Sequence, residues 1–392
     1  MAALRNRTRL ARLIERGATR VLAAVTAGST NGTTATGGSD RAGGLDARIE
    51  AEQSAEAKQA VESSPMPASG MEPGAAALYA RELPLGFLGV HRTGVSQRLY
   101  DRLDAADLAT VEGLVADRPE LRSLYESTKD PGARRHMLLA FGVSLGLPEL
   151  LEKTGLPAIQ PPEEIHAMAR GPISAAGGLY EADLLSDALL GVGVGFGEIR
   201  DAFDFGCSSG RVLRVLAAAH PEIAWHGCDP NAPAIAWAKE NLPGIDFFVS
   251  DNAPPLPLED TSLDLAYAIS IWSHFAPDLA MRWFEEMRRI IRPGGYLVFT
   301  THGFTSVAYY AANGLRTPQQ SEAIVGSLYR HGWWYLPEFG ADGDWGVVNP
   351  DWGTAFLSSE WVLAQLCPRW RVLDFAAGRN LDNQDVYVLQ RV

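Results

Sequence analysis

Beyond about residue 198, short apolar runs alternate with amphipathic helical segments, and this texture restricts the chain more than any other feature of its sequence. Apolar runs of about 4 to 8 residues, set between helix-length stretches, read as βαβ units around a parallel sheet. The spacing predicts strands over 199–205, 223–228, 247–250, 263–269 and 296–301. Helices are expected over 211–220, 233–241 and 277–291, giving five strands joined by helical crossovers. A Pro293-Gly294-Gly295 turn leads into the fifth strand. Two later apolar runs, 371–376 and 386–389, flank the turn-like stretch 379–383 and predict a closing antiparallel pair.

The first half reads differently. Residues 1–30 carry six arginines and one acid, with Leu10, Leu13, Ile14 and Val21 at helical spacing, which predicts a basic amphipathic helix. Such a helix suits an anionic membrane surface, a partner subunit or its own core, and an arginine-rich, acid-poor head also has the composition of a transit peptide. Between residues 31 and 75, 27 of 45 residues are Ala, Gly, Ser, Thr or Pro, so little apolar surface is available to offset chain entropy, and a flexible linker is expected. Residues 76–195 read as a helical accessory region. There Asp104 is placed to cap a helix bearing Leu108, Val111, Leu114 and Val115, while Pro119 and Pro148 open two more. The glycine-rich stretch Gly191–Gly197 precedes the first strand instead of following it and is expected to be a flexible lead-in.

Composition narrows the function classes. With 392 residues, 46% hydrophobic and 21% charged, there is room for two or three units and no apolar run long enough to span a membrane. A net charge of -13 disfavours nucleic acid as the default partner, since such affinity rests on neutralising phosphates. Three cysteines (Cys207, Cys228, Cys367), without CxxC spacing, give neither a disulfide framework nor a metal site and point to a reducing cytoplasm.

The chemistry starts in the loop DFGCSSG, Asp204–Gly210, between an apolar strand and an amphipathic helix. In that context small residues let a ligand approach the backbone. Nineteen residues beyond Gly210, Asp229 ends the second strand, where a carboxylate can accept both ribose hydroxyls of an adenosine-containing ligand or simply cap a helix. Asp251 ends the third strand with Asn252 beside it, suited to an adenine amine. A dinucleotide fingerprint needs Gly-x-Gly-x-x-Gly, whereas this loop has Gly206-x-x-x-Gly210.

These residues resemble the class I S-adenosylmethionine-dependent methyltransferases. DFGCSSG looks like the family's glycine loop, Asp229 like its ribose acid, Ser250-Asp251-Asn252 like its adenine motif, and SLDLAYAISIWSHF with IIRPGGYLVFTTHG like its fourth and fifth strands. The resemblance implies an α/β, Rossmann-like, seven-stranded and mostly parallel sheet with an antiparallel last strand, plus a helical N-terminal region and a lid insertion. It implies S-adenosylmethionine as cofactor, held by Asp204, Gly206, Cys207, Ser208, Gly210, Asp229, Pro230, Asp251, Asn252 and Ser270, with no metal. Ser208 departs from the family, which more often has glycine there. Cys207 reads as a packing residue.

Methyl transfer is an in-line displacement, so the protein supplies positioning and, for a hydroxyl acceptor, a base. His274 follows the fourth strand and His302 the fifth. Each suits either proton transfer or loop orientation, with His302 the better base and His274 the better positioning residue. Residues 304–365 hold Trp333, Trp334, Trp345, Trp352 and Trp361 near Asp342, Asp344 and Asp351, which suits either a lid that stacks on an acceptor or ordinary packing. The expected organisation is a basic helix and linker over 1–75, helical region over 76–195, cofactor core over 196–303, lid over 304–365 and closing strands over 366–392. The expected function is O-methylation of a small molecule or a glycan hydroxyl. The alternative is a noncatalytic S-adenosylmethionine- or nucleotide-binding subunit that engages a protein partner.

Overall fold

The alternating runs assemble as a single sheet in the computed structural model, which describes residues 94–127, 131–162, 165, 171–338, 349 and 352–392. The helix and linker expected over 1–75, together with Trp345, Asp342, Asp344 and Asp351, lie outside the described residues. Strands β1 (Asp201–Phe205), β2 (Ala224–Asp229), β3 (Ile245–Val249), β4 (Leu263–Ala268), β5 (Ile291–Thr301), β8 (Trp370–Asn380) and β9 (Gln384–Arg391) take the order β3-β2-β1-β4-β5-β9-β8. The first five run parallel, and β9 pairs antiparallel with both β5 and β8. A separate antiparallel hairpin joins β6 (Trp333–Leu336) and β7 (Thr354–Leu357).

Both faces of the sheet are covered, which is why its central strands β1 and β4 are buried at nearly every position instead of alternating between core and solvent. The period of two still decides which core each side chain enters. Ala202, Tyr267, Val298, Val386 and Val388 enter one core, while Phe203, Phe205, Ala268, Phe299 and Tyr387 enter the other.

The first core is covered by the helical region: α1 (Val95–Tyr100), α2 (Ala105–Ala116), α3 (Pro119–Ser127), α4 (Pro131–Ser144), α5 (Pro148–Thr154) and α6 (Gly171–Gly191). Asp104 caps α2 as expected, and α3 and α5 open at Pro119 and Pro148. Helices α7 (Leu213–Ala219) and α8 (Ala232–Asn241) lie on the same face. Arg102, just after α1, donates to the carbonyls of Thr154, Ala218 and Ala219, tying α1 to the ends of α5 and α7. The second core is aromatic and lies under α9 (Pro277–Ile290) and α11 (Ser359–Leu366), with Trp272 stacked on Phe284 and Phe299 on Tyr387.

The connection from β3 to β4, for which no helix range was expected, contains none: Pro254, Pro255 and Pro257 deny it backbone donors, and α9 holds it instead. The Leu256 N–H donates to Glu286, and Arg289 donates to the Leu256 and Leu258 carbonyls. The Gly191–Gly197 stretch is no loose lead-in, since it forms the end of α6 and a single 3-10 turn with Val194 and Phe196 buried. The strand β5 also begins earlier than expected, carrying the Pro293-Gly294-Gly295 turn as an irregularity between two stretches paired with β4. No helix among the described residues is long and apolar enough to cross a membrane.

Because Leu99 of α1 is fully buried in the core shared by the helices and the sheet, Leu99→Ala should lower global stability by about 2 to 5 kcal/mol. Urea unfolding followed by circular dichroism measures it. A loss well below 1 kcal/mol would mean that α1 does not belong to that core.

Candidate active site

At the end of β1 the chain turns sharply at Gly206, whose φ of 86° is left-handed and where a Cβ would run into the Ile271 side chain. The N–H groups of Gly206 and Cys207 both donate to the Cys228 carbonyl at 2.9 Å, fastening the loop to β2. Ser208 follows with φ 50°, an unusual conformation for a residue bearing a Cβ and one that glycine adopts without strain. Gly210, at φ 78°, closes the loop where a Cβ would lie 2.7 Å from Leu242 and 3.1 Å from Phe247.

Asp229, buried at the end of β2, organises this edge. One carboxylate oxygen accepts from the Ser208 N–H and the other from the Asn231 N–H, both at 2.8 Å. Each oxygen retains a lone pair for a ligand hydroxyl. Burial raises its pKa, opposed by those two N–H bonds. The Ser250 N–H donates to the Asp229 carbonyl at 3.2 Å, bringing the end of β3 alongside, with Pro230 beside Asp229 and with Asp251 and Asn252 exposed at the lip. Cys207 and Cys228 are buried, and burial pushes both thiols up, so Cys207 acts as a packing residue of the loop.

Asp204 points to the opposite side of β1 from Phe203 and Phe205, toward the face covered by α6. It accepts from the Tyr267 hydroxyl at 3.0 Å. Burial lifts its pKa to about 8, with the Tyr267 bond opposing the shift and the charge of Glu181 adding to it. Glu181 of α6 pairs with Arg211 at 2.6 Å. Tyr267, Glu181 and Arg211 were not singled out in the sequence, because strand alternation marks Tyr267 only as a core residue and α6 lies outside the motif region.

The histidines sit where the hairpin meets the strand ends. The His302 Nδ1–H donates to the Ala355 carbonyl at 3.1 Å, so in the neutral ring Nε2 carries the lone pair. Toward Nε2 point the Tyr310 hydroxyl, at 3.1 Å, and the Gln384 side-chain amide, at 3.3 Å. The same amide donates to Ser270 Oγ at 2.6 Å, and Gln384 Oε1 accepts from Thr300 at 2.7 Å. Ser270, at φ 64°, is held by its own N–H donating to Thr300. His302, Gln384, Ser270 and Tyr310 therefore form one network across β4, β5, β9 and α10 (Phe304–Ala312). Burial lowers the His302 pKa to about 3 and raises that of Tyr310 to about 12. The His274 Nδ1–H donates to the Gly353 carbonyl at 2.9 Å, its ring stacks on Trp352, and burial lowers its pKa to about 4.

The hairpin is attached through its backbone: Gly353, Ala355 and Leu357 donate N–H bonds to the carbonyls of His274, Ser273 and His302. Of the described tryptophans beyond β5, Trp352, Trp333 and Trp361 pack with the aromatic core, and Trp334 meets Phe356 edge-on. Tyr310 and Gln384 carried no motif in the sequence.

Residues 202–295, from β1 into β5, match the family described as methyltransferase domain. The chain is 35% identical over 96 residues to phthiotriol/phenolphthiotriol dimycocerosates methyltransferase 1 of Mycobacterium ulcerans, covering 24% of this chain and 34% of that protein. It is 30% identical over 114 residues to malonyl-[acyl-carrier protein] O-methyltransferase of Methylococcus capsulatus, covering 27% of this chain and 38% of that one. A solved S-adenosylmethionine-dependent methyltransferase from Mesorhizobium loti aligns with 49% of this chain and 91% of its own, at 16% identity and a TM-score of 0.33. The chain spans little more than a third of the length of the curated relatives it matches. The segment 202–295 is a methyltransferase domain of the class I, Rossmann-like fold, and the cofactor of that family is S-adenosylmethionine.

The residues present fit that cofactor. The Oγ atoms of Ser208 and Ser209 are buried in the loop without a hydrogen-bond partner, next to a carboxylate with lone pairs to spare. Asp204 yields a test independent of any ligand. Its folded pKa, about 8, lies above the ordinary 3.8. Between those values the unfolded chain has lost the proton that the folded chain keeps, so stability falls as pH rises through this window and the cost is complete above it. Asp204→Asn removes the ionisation, so its melting temperature should nearly match wild type at pH 4, pull ahead progressively from there to pH 8, and exceed it by several degrees at pH 9. Parallel melting curves across that range would mean that Asp204 ionises normally.

Proposed function

We propose that this chain is an S-adenosylmethionine-dependent methyltransferase acting on an oxygen of a small molecule or sugar, with its acceptor at the ends of β4 and β5. One observation carries the reading: the lone pair of a buried, neutral His302 faces the Tyr310 hydroxyl, in a network that reaches Ser270 at the end of β4. Names among the relatives, such as malonyl-[acyl-carrier protein] O-methyltransferase, support an oxygen acceptor.

Asp229 would hold the ribose, with the Ser208 and Gly210 loop against the amino-acid part, Asp204 facing its ammonium, and Asp251 and Asn252 at the adenine. When bound, S-adenosylmethionine supplies an electrophilic methyl on a cationic sulfur, so the site loses one positive charge there as His302 gains one. The proton moves in two short hops. The acceptor hydroxyl gives its proton to the Tyr310 oxygen as that oxygen passes its own to His302 Nε2. The Ala355 carbonyl then stabilises the imidazolium through Nδ1–H, and His274 fixes the neighbouring wall through Gly353. His302 is the base in this reading, and Tyr310 is the group that touches the acceptor.

Replacing Asp229 with Ala should weaken S-adenosylmethionine binding roughly 10- to 100-fold, the equivalent of about 1.5 to 3 kcal/mol for charge-assisted hydrogen bonds, while Asp229→Asn loses less. Calorimetry that finds unchanged affinity in both variants would remove Asp229 from the cofactor site.

Acceptor identity can be sought by incubating the protein with labelled S-adenosylmethionine and a panel of alcohols, phenols, sugars and carboxylic acids, with products read by mass spectrometry. For the acceptor found, His302→Ala and Tyr310→Phe should each slow single-turnover methyl transfer about 100- to 10,000-fold and leave cofactor affinity nearly intact. His274→Ala should have the smaller effect. Rates within a few-fold of wild type in both His302→Ala and Tyr310→Phe would overturn the relay.

A further inference from the structure

Where α6 lies across the glycine loop, two carboxylates share one cation. Glu181 of α6 pairs with Arg211, in the turn before α7, at 2.6 Å, and both side chains are largely buried. The elements approach closely there: at Gly178 of α6 a Cβ would lie 2.5 Å from the Arg211 carbonyl. Asp204, at the end of β1, is 4% exposed. Among the described residues no cation is paired with it, and its one hydrogen-bond donor is the Tyr267 hydroxyl of β4, at 3.0 Å.

The groups that act on Asp204 come from every side. Glu181 on α6 and Asp229 at the end of β2 disfavour a negative charge there, Arg211 favours one, and the Cys207 thiol beside it is neutral. An ionised carboxylate buried with a single hydroxyl donor is a charge short of partners, and a carboxyl so placed keeps a proton instead. Arg211 is the cation that could ionise it, but Glu181 holds that guanidinium. A carboxyl kept neutral in this way gains a use when a cation arrives beside it.

We propose that the empty protein carries a proton on Asp204 and exchanges it for the ammonium group of S-adenosylmethionine, with Glu181 the positioning residue that preserves this proton by engaging Arg211. The inference rests on the reading above that puts the amino-acid part of the cofactor at this loop. In the exchange the Asp204 O–H bond breaks and the proton leaves to solvent. The carboxylate that remains accepts from the ammonium and keeps the Tyr267 bond, so the charge at this carboxyl is balanced in both states. Because the ligand takes the deprotonated form, affinity should climb about tenfold per pH unit well below the Asp204 pKa, about 8, and level off above it.

Calorimetry of S-adenosylhomocysteine, which carries the same ammonium, binding to the full-length protein in buffers of different ionisation enthalpy counts the protons exchanged. Close to one proton should be released per ligand at about pH 6.5 and almost none at about pH 9.5. Methylthioadenosine, which lacks the amino-acid part, should bind with no release. Asp204→Asn should abolish the release of the first ligand. Glu181→Gln, by freeing Arg211 to ionise Asp204, should move the midpoint of the affinity curve down by about one pH unit or more, a shift that loss of packing alone does not produce. If neither variant folds, the two wild-type proton counts decide. Binding of S-adenosylhomocysteine without proton release at the lower pH, equal release with methylthioadenosine, or undiminished release in Asp204→Asn would overturn the exchange and leave the cofactor assignment standing. An unmoved midpoint in folded Glu181→Gln would overturn the part given to Glu181. Failure of S-adenosylhomocysteine to bind at any pH would instead remove the cofactor reading beneath the proposal.

Discussion

The carboxylate of Asp229 is bonded on one side to the Ser208 N–H and on the other to the Asn231 N–H, and the edge of the sheet at the ends of β1 and β2 is arranged around that pair of bonds. Ser208 holds a left-handed backbone that costs a residue with a side chain roughly 1 kcal/mol or more. Its N–H bond to a charged acceptor offsets that cost. The Asn231 bond fixes the turn into α8, whose first residues Asn231 also caps. The glycine loop, the start of α8 and the end of β2 are thus registered by a group that still has acceptor capacity left. A loop preorganised in this way spends little of a ligand's binding energy on ordering backbone.

The helical region belongs to the same physical object as the sheet. Val95, Leu99, Met137, Leu139, Leu150 and Leu185 contribute to the core that also contains Ala202, Tyr267 and Val388. Arg102 adds a polar tie, placing a cation on the terminal carbonyls of α7 where the helix dipole favours it. The depth at which Asp204 and Tyr267 are buried follows from this cover, because α6 lies over the face they occupy.

Much of this was legible in the sequence, and the reason is local. Strand ends at Phe205 and Asp229, the caps at Asp104, Pro119 and Pro148, and the closing antiparallel strands all follow from patterns within a few residues of each element. The Gly191–Gly197 stretch misled because its glycines suggest looseness, whereas its order comes from Val194 and Phe196 entering a core built from distant elements. Tyr310 and Gln384 were invisible for a different reason. Their meaning lies in meeting His302 across 8 and 82 residues of chain, and no periodicity encodes such a meeting. Asp204 was identified as a site residue, but its shifted ionisation depends on Tyr267 and Glu181, 63 residues after it and 23 before it.

The hairpin over the histidines is fastened to the strand ends by main-chain N–H and carbonyl groups of Gly353, Ala355 and Leu357. The bonds themselves are made by main-chain atoms, while Gly353 has no room for a Cβ beside the Leu336 carbonyl and Ala355 and Leu357 are buried in the core. Substitutions at exposed hairpin positions that spare these residues leave the main-chain bonds in place, and among the described residues no bond at the Asp229 edge involves the hairpin. The hairpin and the Asp229 edge are thus fastened independently, one by main-chain bonds beyond β4 and β5 and the other by a carboxylate at the end of β2, so that either can be altered without undoing the other's fastening.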